Sequence, residues 1–147
     1  MPSINELQGP IWVTLVYVLL YYIFMTHGLR VKVKLFKDYR ARGERFDRYF
    51  GQDPEMLAAD RIQLNLLEHM PAFLVIFWLY AIVVSAYWAT WAGAIYVGLR
   101  ALYPFVLGRE LKGGIPLRLL FVTFSAYGVL LLMVVHIVWA LLSTTNP

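Results

Sequence analysis

Residues able to do chemistry are few in this chain, and they fall into two short stripes. Arg61, Asn65 and Glu68 stand at i, i+4 and i+7, a spacing that puts all three on one face of a helix. Gly93, Tyr96, Arg100 and Tyr103 repeat the pattern further on. Two arginines, a carboxylate, an amide and two phenols on two matched faces can line a polar pocket. They can also hold helices together, the common role of polar groups in an apolar bundle. The 31 residues between Glu68 and Arg100 carry no formal charge. They are too few for two complete membrane passes and a turn, so both charges must sit within or at the edge of the hydrocarbon. Each is 16 residues from Val84, about 24 Å along a helix. Opposite signs at matched depth predict a structural ion pair between Glu68 and Arg100, because an unpaired charge there costs several kcal/mol. Gln63 lies about 200° around the helix from Arg61 and is expected to face another subunit.

Other chemistries lack their parts. The chain has no cysteine, which excludes disulfides, thiolate metal sites and a cysteine nucleophile. His27 and His136 are too far apart to define a metal site and read as structural histidines, so no metal is expected. No serine–histidine–aspartate arrangement has support. The intramembrane ionisable groups therefore favour a polar pocket over simple helix glue.

Positioning these stripes requires membrane helices. Of 147 residues, 61% are hydrophobic and only 15% charged, against roughly 25% charged in an ordinary soluble domain. Residues 11–29 lack any charge and are long enough to cross a bilayer. They are not read as a cleaved signal peptide. Residues 64–107 must make two passes around a turn at 84–88, and a fourth span begins near Ile115–Pro116, where proline suits a first helical turn. Asp53, Pro54 and Glu55 read as N-cap, N1 and acidic first turn. The expected fold is an all-α integral membrane protein, a single domain over 1–147. It is a four-transmembrane-helix bundle with helices at about 11–29, 54–84, 88–107 and 116–142.

All 13 Lys and Arg lie between Arg30 and Arg118. The positive-inside rule then places loops 30–53 and 108–115 in the cytoplasm and both termini outside or in a lumen. Trp12, Trp88, Trp91 and Trp139 fall at the opposite ends of the spans, as an interfacial belt should. Residues 30–48 hold eight basic and three acidic side chains, better read as a juxtamembrane segment on anionic lipid than as a nucleic-acid patch.

The run Arg61-Ile-Gln-Leu-Asn-Leu-Leu-Glu-His-Met-Pro-Ala-Phe resembles the signature of the membrane-associated proteins in eicosanoid and glutathione metabolism (MAPEG). Arg61, Gln63, Asn65, Glu68, Pro71 and Phe73 match it. Gly93, Tyr96, Arg100 and Tyr103 follow the family's helix-three spacing, and Pro116-Leu-Arg118 looks like the motif opening its fourth helix. His69 and Leu107 stand where many members have tyrosine, and Lys112-Gly113-Gly114 lengthens the last loop. The resemblance implies a homotrimer binding glutathione between subunits near the cytoplasmic face. It assigns Arg61, Asn65, Glu68 and Tyr103 to the tripeptide, with His69 beside them and Gln63 and Arg30 reaching it from a neighbour. Arg118 would stabilise the glutathione thiolate as the catalytic residue.

The activity so implied is a glutathione transferase, with peroxidase activity as an extension, acting on lipophilic electrophiles that enter from lipid. The alternatives are a non-catalytic lipid-binding or scaffold member and a glutathione-dependent isomerase. Expected partners are the homotrimer, membrane lipids and a lipophilic small molecule, without nucleic acid. The expected location is a bacterial inner membrane or the endoplasmic reticulum, with the active site toward the cytoplasm.

Overall fold

The computed structural model describes residues 3–111 and 117–145, and the side chains up to 143. Expectations for Lys112, Gly113, Gly114 and the Pro116 helix start lie outside the described residues. The described residues form four helices and no strand: α1 (Ile4–Ala41), α2 (Pro54–Val83), α3 (Ala86–Leu107) and α4 (Leu117–Thr145).

Local chemistry explains most of the boundaries. The Ser3 backbone N–H donates to the Glu6 carboxylate at 2.9 Å, closing the first turn of α1. Asp53 accepts from Glu55 N (2.9 Å) and Met56 N (3.1 Å), and Pro54 occupies the first position of α2, where its missing N–H costs nothing. Ser85 accepts from Trp88 N at 3.3 Å and starts α3 directly. The connection between α2 and α3 is thus only Val84 and Ser85, shorter than the expected turn.

Helix α1 departs most from expectation. It spans 38 residues, about 57 Å, where a span of residues 11–29 was anticipated. The basic segment after Leu29 continues the helix because it contains good helix formers and neither proline nor glycine before Gly43. Gly43, at φ 73°, supplies the left-handed residue that ends it. This extension is tied to the start of α2 by Lys32–Asp60 (2.7 Å), Lys34–Glu55 (2.9 Å) and a Tyr39–Asp53 hydrogen bond (3.0 Å).

Helices α2 and α3 form the central pair. Both touch α1 on one side and α4 on the other, while α1 and α4 do not meet among the described residues. Phe73 and Tyr96 stack at 4.3 Å with rings 7° from parallel, Tyr17 packs on Phe73 at 4.8 Å, and the Tyr17 hydroxyl donates to Leu66 O at 2.9 Å. Gly93 lets α3 approach: a methyl group there would lie 2.8 Å from Val13 Cγ1 and 3.0 Å from Phe77 Cδ2.

Large apolar side chains point outward along the bundle, including Trp12, Leu19, Leu131 and Leu132. A water-soluble monomer does not present this much contiguous apolar surface; a membrane protein does. Helices α1 and α2, and α4 to Ser143, are each long and apolar enough to cross a membrane. Four such helices were expected. Helix α3 falls short on hydropathy because its tyrosines, tryptophans, glycines and Arg100 dilute the aliphatic residues, although its 22 residues reach about 33 Å.

Candidate functional site

The two stripes meet at Arg100. Its side chain is buried (1% exposed) between α2 and α3, and Nη1 donates to Asn65 Oδ1 at 2.9 Å. Nε donates to the Tyr96 hydroxyl at 3.2 Å, and the guanidinium carbon lies 5.1 Å from the Tyr96 ring and 5.8 Å from that of Tyr127. Nη2 is buried without a hydrogen-bond partner among the described residues. Arginine tolerates such a setting better than lysine, because its delocalised charge is weakly hydrated and stacks on aromatic faces.

The expected Glu68–Arg100 ion pair is not formed. Glu68 lies 3.8 Å from Arg61 instead, and both are about half exposed on the open side of α2. The reason is rotational. Arg61 and Glu68 share one edge of the α2 face, and α3 approaches the other edge, where Asn65 stands. The buried cation therefore meets an amide oxygen, and the carboxylate is left at the surface with its own helix's arginine.

Around this centre the structure gathers several of the expected residues. Tyr103 is buried (3% exposed) and lies within electrostatic range of Arg61, Glu68 and Arg100. His69 Nε2 shares a 3.1 Å hydrogen bond with the hydroxyl of Tyr127, which brings α4 to the site. Nothing in the sequence singled out Tyr127, since its role depends on the rotation of α4. Gln63 is half-buried with its amide oxygen toward Gly28 of α1, away from the Arg61 edge and against its own chain. Arg30 is exposed in a shallow cleft on α1 with Val33, Lys34 and Lys37, outside the cluster.

Arg118 is exposed near the start of α4. Helix α4 runs beside α2 in the same direction, in a register set by His69–Tyr127 and by a 2.8 Å hydrogen bond from Tyr80 to His136. Counting back along both helices from the first pair brings Arg118 close to the level of Asp60 and Arg61. No hydrogen bond or ion pair among the described residues joins it to them. Among the described residues, no group of three or more His, Cys, Asp or Glu converges as a metal site would require. A cavity of about 540 Å³ lies between α1, α2 and α3, lined by His27, Val31, Ala59, Pro104 and Arg109, and the polar stripe does not open into it.

The model of the MAPEG family matches residues 11–139, across all four helices. The chain belongs to the MAPEG family. Comparison with curated protein sequences gives no match. Membership makes the chain an integral membrane protein of a family concerned with glutathione and eicosanoid metabolism, which includes glutathione transferases and other enzymes. In this MAPEG member the polar residues of α2 divide into two sets. Asn65 is consumed by the buried Arg100, whereas Arg61 and Glu68 remain presented at the surface of the bundle.

Proposed function

We propose that the protein is a glutathione transferase that conjugates glutathione to lipophilic electrophiles at a subunit interface of a homotrimer. The observation that carries this reading is the half-exposed Arg61–Glu68 pair on a membrane-crossing helix. An ion pair facing hydrocarbon is costly, so this edge of α2 requires a polar covering. A second subunit with a bound zwitterion supplies one. Glutathione carries two carboxylates and an ammonium group; Arg61 can grip a carboxylate with its planar fork, and Glu68 complements the ammonium. Tyr103 adds a phenol nearby, and Arg30, exposed and outside the cluster within one chain, is the candidate to reach it from a neighbour. His69 and Tyr127 close the cluster on the α4 side.

The chemistry asks for a thiolate. A free thiol has a pKa near 8.5, and the anion is the nucleophile. A guanidinium beside the sulfur favours the anion, more strongly where water is excluded. Arg118, level with Arg61, takes that role. The thiol proton passes to solvent, the sulfur attacks the electrophilic carbon, a C–S bond forms and the leaving group departs with the bonding electrons. The lipophilic partner enters sideways from the bilayer.

The test uses purified protein in phospholipid vesicles. Glutathione is added, thiolate absorbance is followed, and conjugation to an aryl halide is then measured in wild type and Arg118→Ala. Thiolate formation and turnover in wild type, both reduced at least ten-fold in the variant, are the expected results. Absence of glutathione binding overturns the proposal. Binding without thiolate or turnover indicates a non-catalytic member, and undiminished activity in Arg118→Ala removes that residue from the mechanism.

A further inference from the structure

At the end of the bundle where α2 turns into α3, a groove of about 480 Å³ runs between α2, α3 and α4. Its walls are apolar, with Ala92, Ile95, Leu132, Met133 and Trp139, and it contains one polar pair, Tyr80 and His136. Tyr80 is buried (6% exposed), and its hydroxyl meets His136 Nδ1 at 2.8 Å. The direction of this bond follows from satisfaction. Were Nδ1 the donor, the Tyr80 O–H would have no acceptor of its own among the described residues. The hydroxyl therefore donates to Nδ1, and in the neutral imidazole the proton resides on Nε2. No protein group among the described residues bonds Nε2, and His136 is exposed toward the groove. The groove thus offers one N–H donor in apolar surroundings, where an unmet donor is expensive.

We propose that this groove binds a bilayer phospholipid, with an acyl chain along its apolar wall and an ester carbonyl oxygen accepting from His136 Nε2. Three observations select this occupant. The donor requires an acceptor attached to an apolar body. A helix from a second copy spends its backbone carbonyls on its own hydrogen bonds and cannot supply one from the main chain. The depth also fits: Tyr80 lies one turn from Val84, and the exposed Trp88, Trp91 and Trp139 cluster at this end, the aromatic mark of the level where hydrocarbon meets headgroups. The site stands about 17 Å along α2 from His69, separate from the Arg61–Glu68 edge, and does not depend on glutathione.

The test places a photoreactive benzoylphenylalanine at Ile95 in the full chain, reconstituted in vesicles of a diacyl phosphatidylcholine. After irradiation, adducts are weighed by mass spectrometry. A lipid adduct is expected, at least five-fold weaker in vesicles of the dialkyl-ether analogue, which keeps the chains and lacks the ester carbonyl. The same loss is expected for the Tyr80→Phe/His136→Leu double variant. Equal adducts with ester and ether lipids overturn the carbonyl contact without relying on any variant folding. A product joining two copies of the chain overturns the lipid assignment in favour of a subunit contact, and preferential capture of added oleate overturns it in favour of a free acid. The nitrogen chemical shifts of His136 in ester vesicles provide a second readout: a proton on Nε2 is expected, and a proton on Nδ1 instead refutes the argument.

Discussion

Arg100 and Asn65 meet across the α2–α3 interface at 2.9 Å, and this contact joins the most deeply buried cation of the central helix pair to a neutral amide. The guanidinium is otherwise held by the Tyr96 hydroxyl and two aromatic faces. Stability and site geometry both depend on it, and the two dependences can be separated by substitution.

Asn65→Leu removes the acceptor and leaves a buried cation short of partners. The expected loss is about 2–4 kcal/mol of stability, in the range for breaking one side of a buried charged interaction. Arg100→Met, which removes the charge and keeps much of the volume, is expected to cost less. Thermal unfolding of both variants in the same detergent tests the order. Equal or reversed losses show that the Asn65 contact contributes little.

Arg61 and Glu68 are predicted to behave in the opposite way. Within the polar covering proposed for it, an ion pair this exposed contributes about 0–1 kcal/mol, so Arg61→Gln and Glu68→Gln should leave the melting temperature nearly unchanged. Glutathione affinity, measured by calorimetry, should fall at least ten-fold in each. Unchanged affinity removes the pair from the proposed site.

Gly93 and Gly98 make a matched comparison on α3. Gly93→Ala puts a methyl group against Val13 and Phe77 and is expected to cost about 1–3 kcal/mol, the range for overpacking. Gly98→Ala meets nothing within 4 Å among the described residues and should be neutral or stabilising. Unfolding midpoints of the two variants decide the matter, and equal stabilities refute the close approach of α3.

The loop between α1 and α2 contains a pH-sensitive turn. Asp47 accepts from the backbone N–H groups of Phe50 and Tyr49, both at 2.9 Å, and these bonds hold its carboxyl below the ordinary aspartate value. A carboxyl with a depressed folded-state pKa stabilises its turn above the unfolded value and loses that contribution as pH falls through the folded one. Amide shifts of Tyr49 and Phe50 should therefore hold steady through the usual aspartate range and move only at lower pH. In Asp47→Ala that transition should vanish.

The helix-forming segments and their polar faces could be read from residue order, because periodicity and caps are local. Arg61, Asn65 and Glu68 had to share a face whatever the fold, and Asp53-Pro54-Glu55 had to begin a helix. The reach of α1 to Ala41 was also written locally, in the absence of a helix breaker before Gly43, but the charge-free span concealed it. What spacing could not supply was the partner of each charge. Glu68 and Arg100 have matched depth and opposite sign, yet the contact goes to Asn65. The rotation of α3 against α2 is set by the Tyr17, Phe73 and Tyr96 rings and by the gap at Gly93. Tyr127 and the Tyr80–His136 pair were hidden for the same reason, since they depend on how α4 is turned. Residue order determines which groups share a helix face; only packing decides the distance and angle at which two faces meet, and hydrogen bonds are selective in both.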